Sequence, residues 1–197
     1  MIFNRQKNIP EEISKVRLGD WYTGLSDQDK VRIGRYLKDP DTSSALNFTL
    51  SVMRDANKED NCHVTILAGE NILKSKLSEI ERFDVLEEMI PAYYAAKRYD
   101  DCMRCCDEGI GMIPDLMEKL KERNGGCLPD NIMCRSYTIN VLIGGFGDYD
   151  AADAALDKFC EMGLISEEDV AYRKQSHKIH KLQRTFDGIF GVKLKDQ

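Results

Sequence analysis

Three cysteines stand close together in the middle of the chain, at positions 102, 105 and 106. Residues three and four apart lie on one face of a helix, so Cys102, Cys105 and Cys106 would project their sulfurs to one side. Thiolates hold zinc in a tetrahedron of four ligands, and Cys127, Cys134 or a histidine could complete the set. The same spacing fits a buried helix face, where cysteine serves as a small apolar residue. We favour burial, and we expect neither a metal nor another cofactor.

A second group with binding chemistry lies near the end of the chain, where His177 and His180 are three residues apart. No acidic residue or cysteine is placed beside them in sequence to complete a metal site. The surrounding residues are instead basic, namely Lys174, Lys178, Lys181 and Arg184. We therefore expect a cationic helix face that either stays in solvent or binds an acidic partner, such as the body of a second copy in a homodimer.

The motifs of known enzyme classes are missing from the sequence. The segment Gly144-Gly145-Phe146-Gly147 lacks the lysine and the preceding strand of a phosphate-binding loop, so we interpret it as a break between helices. We find no nucleophile elbow, metalloprotease histidine pair or paired-acid signature. We expect a non-enzymatic protein, although catalytic side chains that converge from distant helices would leave no local motif.

The composition is that of an ordinary globular protein, with 42% apolar and 31% charged residues among 197. Seven cysteines, three of them crowded, make a poor disulfide framework and favour free thiols in a reducing compartment. No stretch approaches the roughly 20 apolar residues of a membrane span, and the first residues lack the apolar run of a signal peptide. We expect a cytoplasmic protein that does not enter the membrane.

Charge is unevenly distributed along the chain. The net charge is −6, but residues 171–197 contain seven Lys or Arg against two Asp or Glu. The rest of the chain is therefore strongly acidic. Proteins that bind nucleic acids usually present a basic surface to the phosphates, so we consider nucleic acid an improbable partner except at the basic terminal helix.

Apolar residues recur at spacings of three and four, and no segment alternates with the period of a strand. We predict an all-α fold of stacked antiparallel helical hairpins, either a superhelix or an α-helical bundle. Residues 1–77 form an N-terminal helical region that is a degenerate first hairpin or a cap. Residues 78–197 contain the clearer hairpins and a basic C-terminal helix. Predicted helices begin near Pro10, Ser26, Ser44, Asp60, Ser78, Asp101, Asn131, Asp150 and Ser166.

Two prolines fall inside helical patterns. Pro91 removes a backbone hydrogen bond at a cost of about 3 kcal/mol, so we expect a kink near Glu87 to Pro91 or two separate helices. The next helix meets Pro114 and can continue to Asn124-Gly125-Gly126. This Asn-Gly-Gly segment is the clearest loop in the chain and the best candidate for a subdomain boundary.

The terminal helix has an apolar stripe and a basic side. Ser166 is predicted to cap its start, with Asp169 at the third position. The basic residues fall largely on the side opposite the stripe, which comprises Tyr172, Ile179, Leu182, Phe186 and Ile189. We therefore expect a basic side that is largely solvated.

The segment from Tyr93 to Pro114, in which a Lys97-Arg98-Tyr99-Asp100 turn joins two short helical patterns, resembles a tetratricopeptide repeat. In that family the first helix carries two apolar residues and an aromatic, for which this chain has Leu86, Met89 and Tyr93. The turn aromatic and the packing residues of the second helix correspond to Tyr99, Cys102, Cys106 and Gly109. Pro114 stands where the family has its closing proline.

Further copies of the pattern are less regular. A later hairpin resembles the family at Gly147, Asp148, Tyr149, Ala152 and Leu156, and Cys62, Ile66 and Gly69 fit a third, degraded copy. Tyr99 and Tyr149 are 50 residues apart, wider than the family's repeat of about 34, which implies an insertion at residues 115–130. Residues 136–162 also resemble a pentatricopeptide repeat, but one such unit cannot read RNA.

The resemblance implies a right-handed stack of hairpins whose concave face binds a peptide or a partner helix. The inner helices supply that face in the family, so the expected contact residues are Tyr93, Tyr94, Lys97 and Arg98. We therefore predict a non-enzymatic protein–protein interaction or scaffolding module. The alternatives are a protein that binds nucleic acid or an acidic partner through its basic C-terminal helix, and a small enzyme.

Overall fold

A computed structural model describes residues 9–190 of the chain. Its first helices are α1 (Glu11–Lys15), α2 (Gly19–Gly24), α3 (Asp27–Gly34), α4 (Ala45–Lys58) and α5 (Cys62–Ile72). They are followed by α6 (Glu79–Ala95), α7 (Tyr99–Arg123), α8 (Met133–Asn140), a π-helical turn (Val141–Phe146), α9 (Tyr149–Glu161) and α10 (Glu167–Phe190). Residues 9–190 contain no strand, so the predicted all-α class is confirmed. None of the helices in this range is long and apolar enough to cross a membrane.

From α4 onward, each helix packs against its neighbours in sequence. Linkers of only a few residues join α4 to α5 and α6 to α7, so these pairs reverse direction and form antiparallel hairpins. In addition, α6 touches both α4 and α8. The first helices of successive hairpins therefore lie side by side, as in a stack.

The buried apolar residues form two clusters that share helices. The smaller cluster joins α1 to α5 and includes Ile13, Ile33 and Phe48. The larger cluster extends from α4 to α10 and includes Met53 and Leu116. Because α4 and α5 contribute to both, apolar packing continues across the predicted division between residues 77 and 78. That division stays a prediction.

Serine side chains cap three helices at the predicted positions. The Ser26 hydroxyl accepts a hydrogen bond from the Asp29 amide at 3.1 Å, and the Ser166 hydroxyl accepts one from the Asp169 amide at 3.1 Å. Ser78 forms the reciprocal capping box with Glu81, whose carboxylate accepts the Ser78 amide at 2.8 Å. These caps satisfy amides that the first turn of a helix leaves without a partner.

Neither proline ends its helix. Helix α6 runs through Pro91, so of the two expected outcomes, a kink or two separate helices, the second does not occur. Helix α7 runs through Pro114 to Arg123, so this proline does not close a hairpin as the repeat resemblance implied. Ile90 and Ile113, the residues just before the two prolines, are fully buried. Tertiary packing of the apolar face outweighs the local cost of the proline.

The glycine-rich segment does not break the helix where expected. The backbone continues through Gly144 and Gly145 as a π-helical turn and ends only at Gly147, which has a φ of 71°. There the Gly147 amide donates to the Ile143 carbonyl and the Asp148 amide donates to the Leu142 carbonyl. This is the glycine-terminated ending common in helices, placed later than the sequence indicated. The other predicted stop, after Arg123, is confirmed, with Gly125 and Gly126 both at positive φ.

Candidate functional site

Tyr93, the first of the predicted contact residues, belongs to the core. Its side chain is only 1% exposed, and its hydroxyl donates a hydrogen bond to Glu70 at 3.0 Å. The Arg98 guanidinium lies over the Tyr93 ring, 4.7 Å from the centroid. Burial, with the Glu70 contact adding to it, raises the pKa of the Tyr93 hydroxyl. The structure therefore gives this tyrosine a packing role between α5 and α6.

The turn between α6 and α7 holds the two predicted cationic contacts. Lys97 is exposed and has a φ of 57°. Arg98 is also exposed, but its guanidinium pairs with Asp101 at 2.7 Å and with Glu70 at 3.2 Å. The Arg98 side chain therefore connects the turn to α5 and to α7.

Tyr94, the remaining predicted contact, lies in a cluster of aromatic rings. Its ring centroid is 5.6 Å from that of Tyr99 and 5.2 Å from that of Tyr137. The π-helical turn closes over this cluster, because a side chain at Gly145 would begin 2.9 Å from the Tyr99 ring. The glycines of this segment are therefore explained by close packing on tyrosines, which sequence inspection did not indicate.

A groove of about 340 Å³ lies between α5, α6 and α7, next to Tyr93. Charged side chains of both signs line it, and Arg82 and Glu108 form an ion pair there. Cys105 also lines the groove but is buried, and burial raises the pKa of its thiol to about 12. A thiol with so high a pKa stays protonated at neutral pH and is a poor nucleophile.

The other clustered cysteines are packing residues. Cys102 and Cys106 are fully buried, and the Cys102 thiol donates to the Ile90 carbonyl at 3.4 Å. Cys134 is equally buried and lies against Gly109. Burial raises the pKa of the Cys134 thiol. Among the described residues, no group of three or more His, Cys, Asp or Glu side chains is placed to hold a metal ion.

Part of the basic side of α10 faces α9. Three residues of α10 contact three aspartates of α9: Lys174 with Asp157 at 2.6 Å, His177 with Asp153 at 2.7 Å, and Lys181 with Asp150 at 2.9 Å. His177 is buried, with its ring against that of Tyr149. The expectation of a largely solvated basic side is therefore wrong for His177, whereas Lys174 is half-buried and Lys181 stays exposed. Lys178 and His180 are exposed, and the side chain of Arg184 lies outside the described residues.

Because the opposite side of α10 contacts α9, the apolar stripe of α10 faces outward. The exposed fractions are 74% for Tyr172, 50% for Ile179, 59% for Leu182 and 57% for Phe186. The side chain of Ile189, the last predicted member of the stripe, lies outside the described residues. Large apolar side chains are normally the ones that a helix buries. We call the residues Tyr172, Ile179, Leu182 and Phe186 the α10 stripe.

A second groove, of about 510 Å³, runs beside the α10 stripe. Its apolar wall comes from Ile139, Ile143 and Tyr149, and its opposite wall comes from α10. Tyr172 belongs both to the α10 wall of the groove and to the α10 stripe. Apolar surface therefore continues from the exposed side of α10 towards the π-helical turn.

Sequence inspection identified the stripe but not its exposure. The signal that would have revealed it is the row of acids on α9, because Asp150, Asp153 and Asp157 are spaced three and four residues apart and so share one helix face. A basic helix face is attracted to such a row, and the apolar side must then point elsewhere.

The comparisons with known proteins assign no family to this chain. No protein-family model matches the chain, and searches of curated proteins and of solved structures found no similar protein. The tetratricopeptide resemblance therefore stays a prediction, and what the structure establishes is an all-helical chain whose neighbouring helices pack together.

Proposed function

We propose that the protein is a non-enzymatic interaction module that binds a partner helix. The observation that carries this proposal is the exposure of the α10 stripe, four large apolar side chains aligned on one side of a helix. An aligned set of exposed apolar residues is typical of a binding surface, whereas isolated exposed apolar residues are common everywhere. Recognition of one amphipathic helix by another uses contacts at this helical spacing.

The stripe is presented on a fixed support. The three contacts between α10 and the α9 aspartates lie on the side of α10 that faces the body. Val170 and His177 are buried on the same side. A binding surface held in place in this way loses less conformational entropy when a partner arrives.

The body that carries the stripe is, in this proposal, a degenerate stack of tetratricopeptide-like hairpins. Support comes from two small residues at the packing positions of that family. A side chain at Gly69 would begin 2.5 Å from Met89, and one at Gly109 would begin 3.1 Å from Cys134. Each glycine thus lies on the second helix of one hairpin, where it touches the first helix of the next.

The alternative functions have less support. Binding of nucleic acid or an acidic partner through α10 would use basic residues, yet Lys174, His177 and Lys181 already have aspartate partners. An enzyme would need an accessible, activated side chain. Burial raises the pKa of the Cys105 and Cys134 thiols, and Cys102, whose pKa is lowered by its hydrogen bond with Cys106, is fully buried. Both alternatives remain outcomes of the experiment.

The test is capture of binding partners by the purified protein and by an Ile179→Glu variant. Val31→Glu is the matched control, because Val31 is 67% exposed on α3, away from the stripe. We expect the native chain and the control to retain the same protein partner at physiological salt, and the Ile179→Glu variant to lose it. Equal capture by all three proteins, or capture of nucleic acid that disappears at higher salt, would contradict the proposal.

A further inference from the structure

The α10 stripe has the period of a coiled coil. Tyr172, Ile179 and Phe186 are seven residues apart, and Leu182 lies three residues after Ile179. In a heptad these are three a positions and one d position, with Gln175 at the preceding d. A repeat of 3.5 residues keeps the apolar seam facing another helix of the same kind, whereas a helix that packs on a globular body uses a broader face of period 3.6. The period therefore indicates a second heptad helix as the partner.

The residues that hold α10 to the body occupy the other heptad positions. Val170 and His177 are at f, directly opposite the seam, and Lys174 and Lys181 are at c. A second helix can thus approach the seam without displacing α9. The three α9 aspartates also offset the positive charge of α10, which reduces the repulsion between two identical helices.

Extending the proposed function, on which this inference rests, we infer that the partner of the α10 stripe is the α10 stripe of a second copy of this chain, paired antiparallel. The seam is self-complementary in this orientation, because each a position then faces a d position. Ile179 lies opposite Leu182 of the second copy, and Leu182 lies opposite its Ile179. The two central layers of the seam are therefore made only of aliphatic side chains.

Charge at the start of α10 favours the antiparallel orientation. The heptad places exposed Glu168 at a d position, so a parallel pair would bring the two Glu168 carboxylates together. Like charges at such a contact are destabilising, and an antiparallel pair separates them. The helix dipoles also oppose each other favourably when the two helices run in opposite directions.

The positions that flank the seam are compatible with this pairing. At the g positions Lys178 would face Thr185 of the second copy, and at the e positions Ser176 would face Gln183. Neither contact brings like charges together.

The experiment measures the mass of the full chain in solution by light scattering and sedimentation over a range of concentrations. We expect a dimer for the native chain and for the Val31→Glu control. Ile179→Glu and Leu182→Lys should each weaken the dimer roughly a hundredfold, because a charge would lie unpaired in an apolar seam. Both side chains are exposed in the single chain, so circular dichroism and melting temperature should show that the variants are folded.

An equimolar mixture of the two variants tests the orientation. In the antiparallel pair Glu at position 179 faces Lys at position 182 of the other variant, and we expect the mixed dimer to return. In a parallel pair each charge would face the aliphatic residue at its own position, and the mixture would stay monomeric. A mixture that does not associate, although the native chain dimerises through the stripe, would overturn the antiparallel arrangement.

The outcomes separate this inference from the proposed function. A native chain that is monomeric at high micromolar concentration overturns the inference. If that monomer still captures another protein, and Ile179→Glu loses it, the proposed function stands with a different partner. If the monomer shows no binding that depends on Ile179, both fail.

Discussion

Glu87 links two helices through its side chain. It lies on α6, and its carboxylate accepts the amides of Met133 and Cys134, at 2.6 and 2.8 Å, at the start of α8. These amides are among those that a helix leaves without a partner in its first turn. Burial is the largest influence on this group and raises the pKa of the carboxyl above its ordinary value of 4.5, against the opposing effect of the two amides.

Replacement of Glu87 should therefore have a pH-dependent cost. A raised folded-state pKa means that the stabilising contribution is complete below pH 4.5 and declines as the pH rises through the folded pKa. Glu87→Ala should lower the free energy of unfolding by about 1–3 kcal/mol near pH 4.5, and by less at pH 8. Urea unfolding at the two pH values measures the difference.

The control for that change is Glu122→Ala, at an exposed position of α7. It should alter the free energy of unfolding by less than about 0.5 kcal/mol at either pH. A Glu87→Ala cost that grows from pH 4.5 to pH 8 would show that the ionised carboxylate is the stabilising form.

Two glycines in helices should respond oppositely to alanine. A side chain at Gly69 would begin 2.5 Å from the Met89 sulfur and 3.1 Å from Met53 in the core, whereas nothing lies within 4 Å of one at Gly111. Gly69→Ala should destabilise the protein by about 1–3 kcal/mol through overpacking. Gly111→Ala should stabilise it by roughly 0.5–1 kcal/mol, because alanine is the better helix former. Thermal unfolding of the two variants measures both effects, and equal changes would contradict the close approach at Gly69.

At the scale of elements, α10 depends on α9 for its place. Three polar pairs join it to α9, and His177 with Asp153 is the most buried of them. Asp153→Ala should make local opening of α10 easier by about 1 kcal/mol, which corresponds to roughly fivefold faster amide exchange. Hydrogen exchange followed by mass spectrometry measures this for α10 and, as an internal reference, for α6.

Asp107→Ala is the matched control, because Asp107 is an exposed aspartate on α7. It should leave exchange in α10 unchanged. Added salt should also speed exchange in α10 of the native chain, since the lysine pairs are partly exposed and are screened. Exchange in α10 that is insensitive to both the variant and salt would mean that apolar contacts hold the helix.

At the scale of the whole molecule, the shared helices α4 and α5 should make unfolding a single cooperative event. Trp21 is the only tryptophan and packs against both apolar clusters, so its fluorescence reports on the N-terminal part. We expect the fluorescence and far-ultraviolet dichroism transitions in urea to coincide. Ile33 and Leu116 belong to different clusters. Ile33→Ala and Leu116→Ala should each lower the free energy of unfolding by about 2–5 kcal/mol, and both probes should report the same change. Two separate transitions would establish independent domains.

Much of the fold could be predicted because its causes are local. The caps at Ser26, Ser78 and Ser166 are bonds between residues three apart, and apolar spacing of three and four marks the helix faces. The errors occurred where distant contacts outweighed local preference. Pro91 does not divide α6, where the neighbouring Ile90 is buried, and Gly144 and Gly145 continue a helix because tyrosines of α6 and α7 pack on them.

The sequence by itself determined that the chain is helical, where most helices begin, and that α10 carries an apolar stripe with a heptad spacing. Only the tertiary structure decided which side of α10 faces the body. The three pairs that fix this choice join residues 17, 24 and 31 positions apart. A periodic pattern describes a helix surface but not the neighbour that covers it, and here an acidic row on α9 attracted the basic side and left the apolar side exposed.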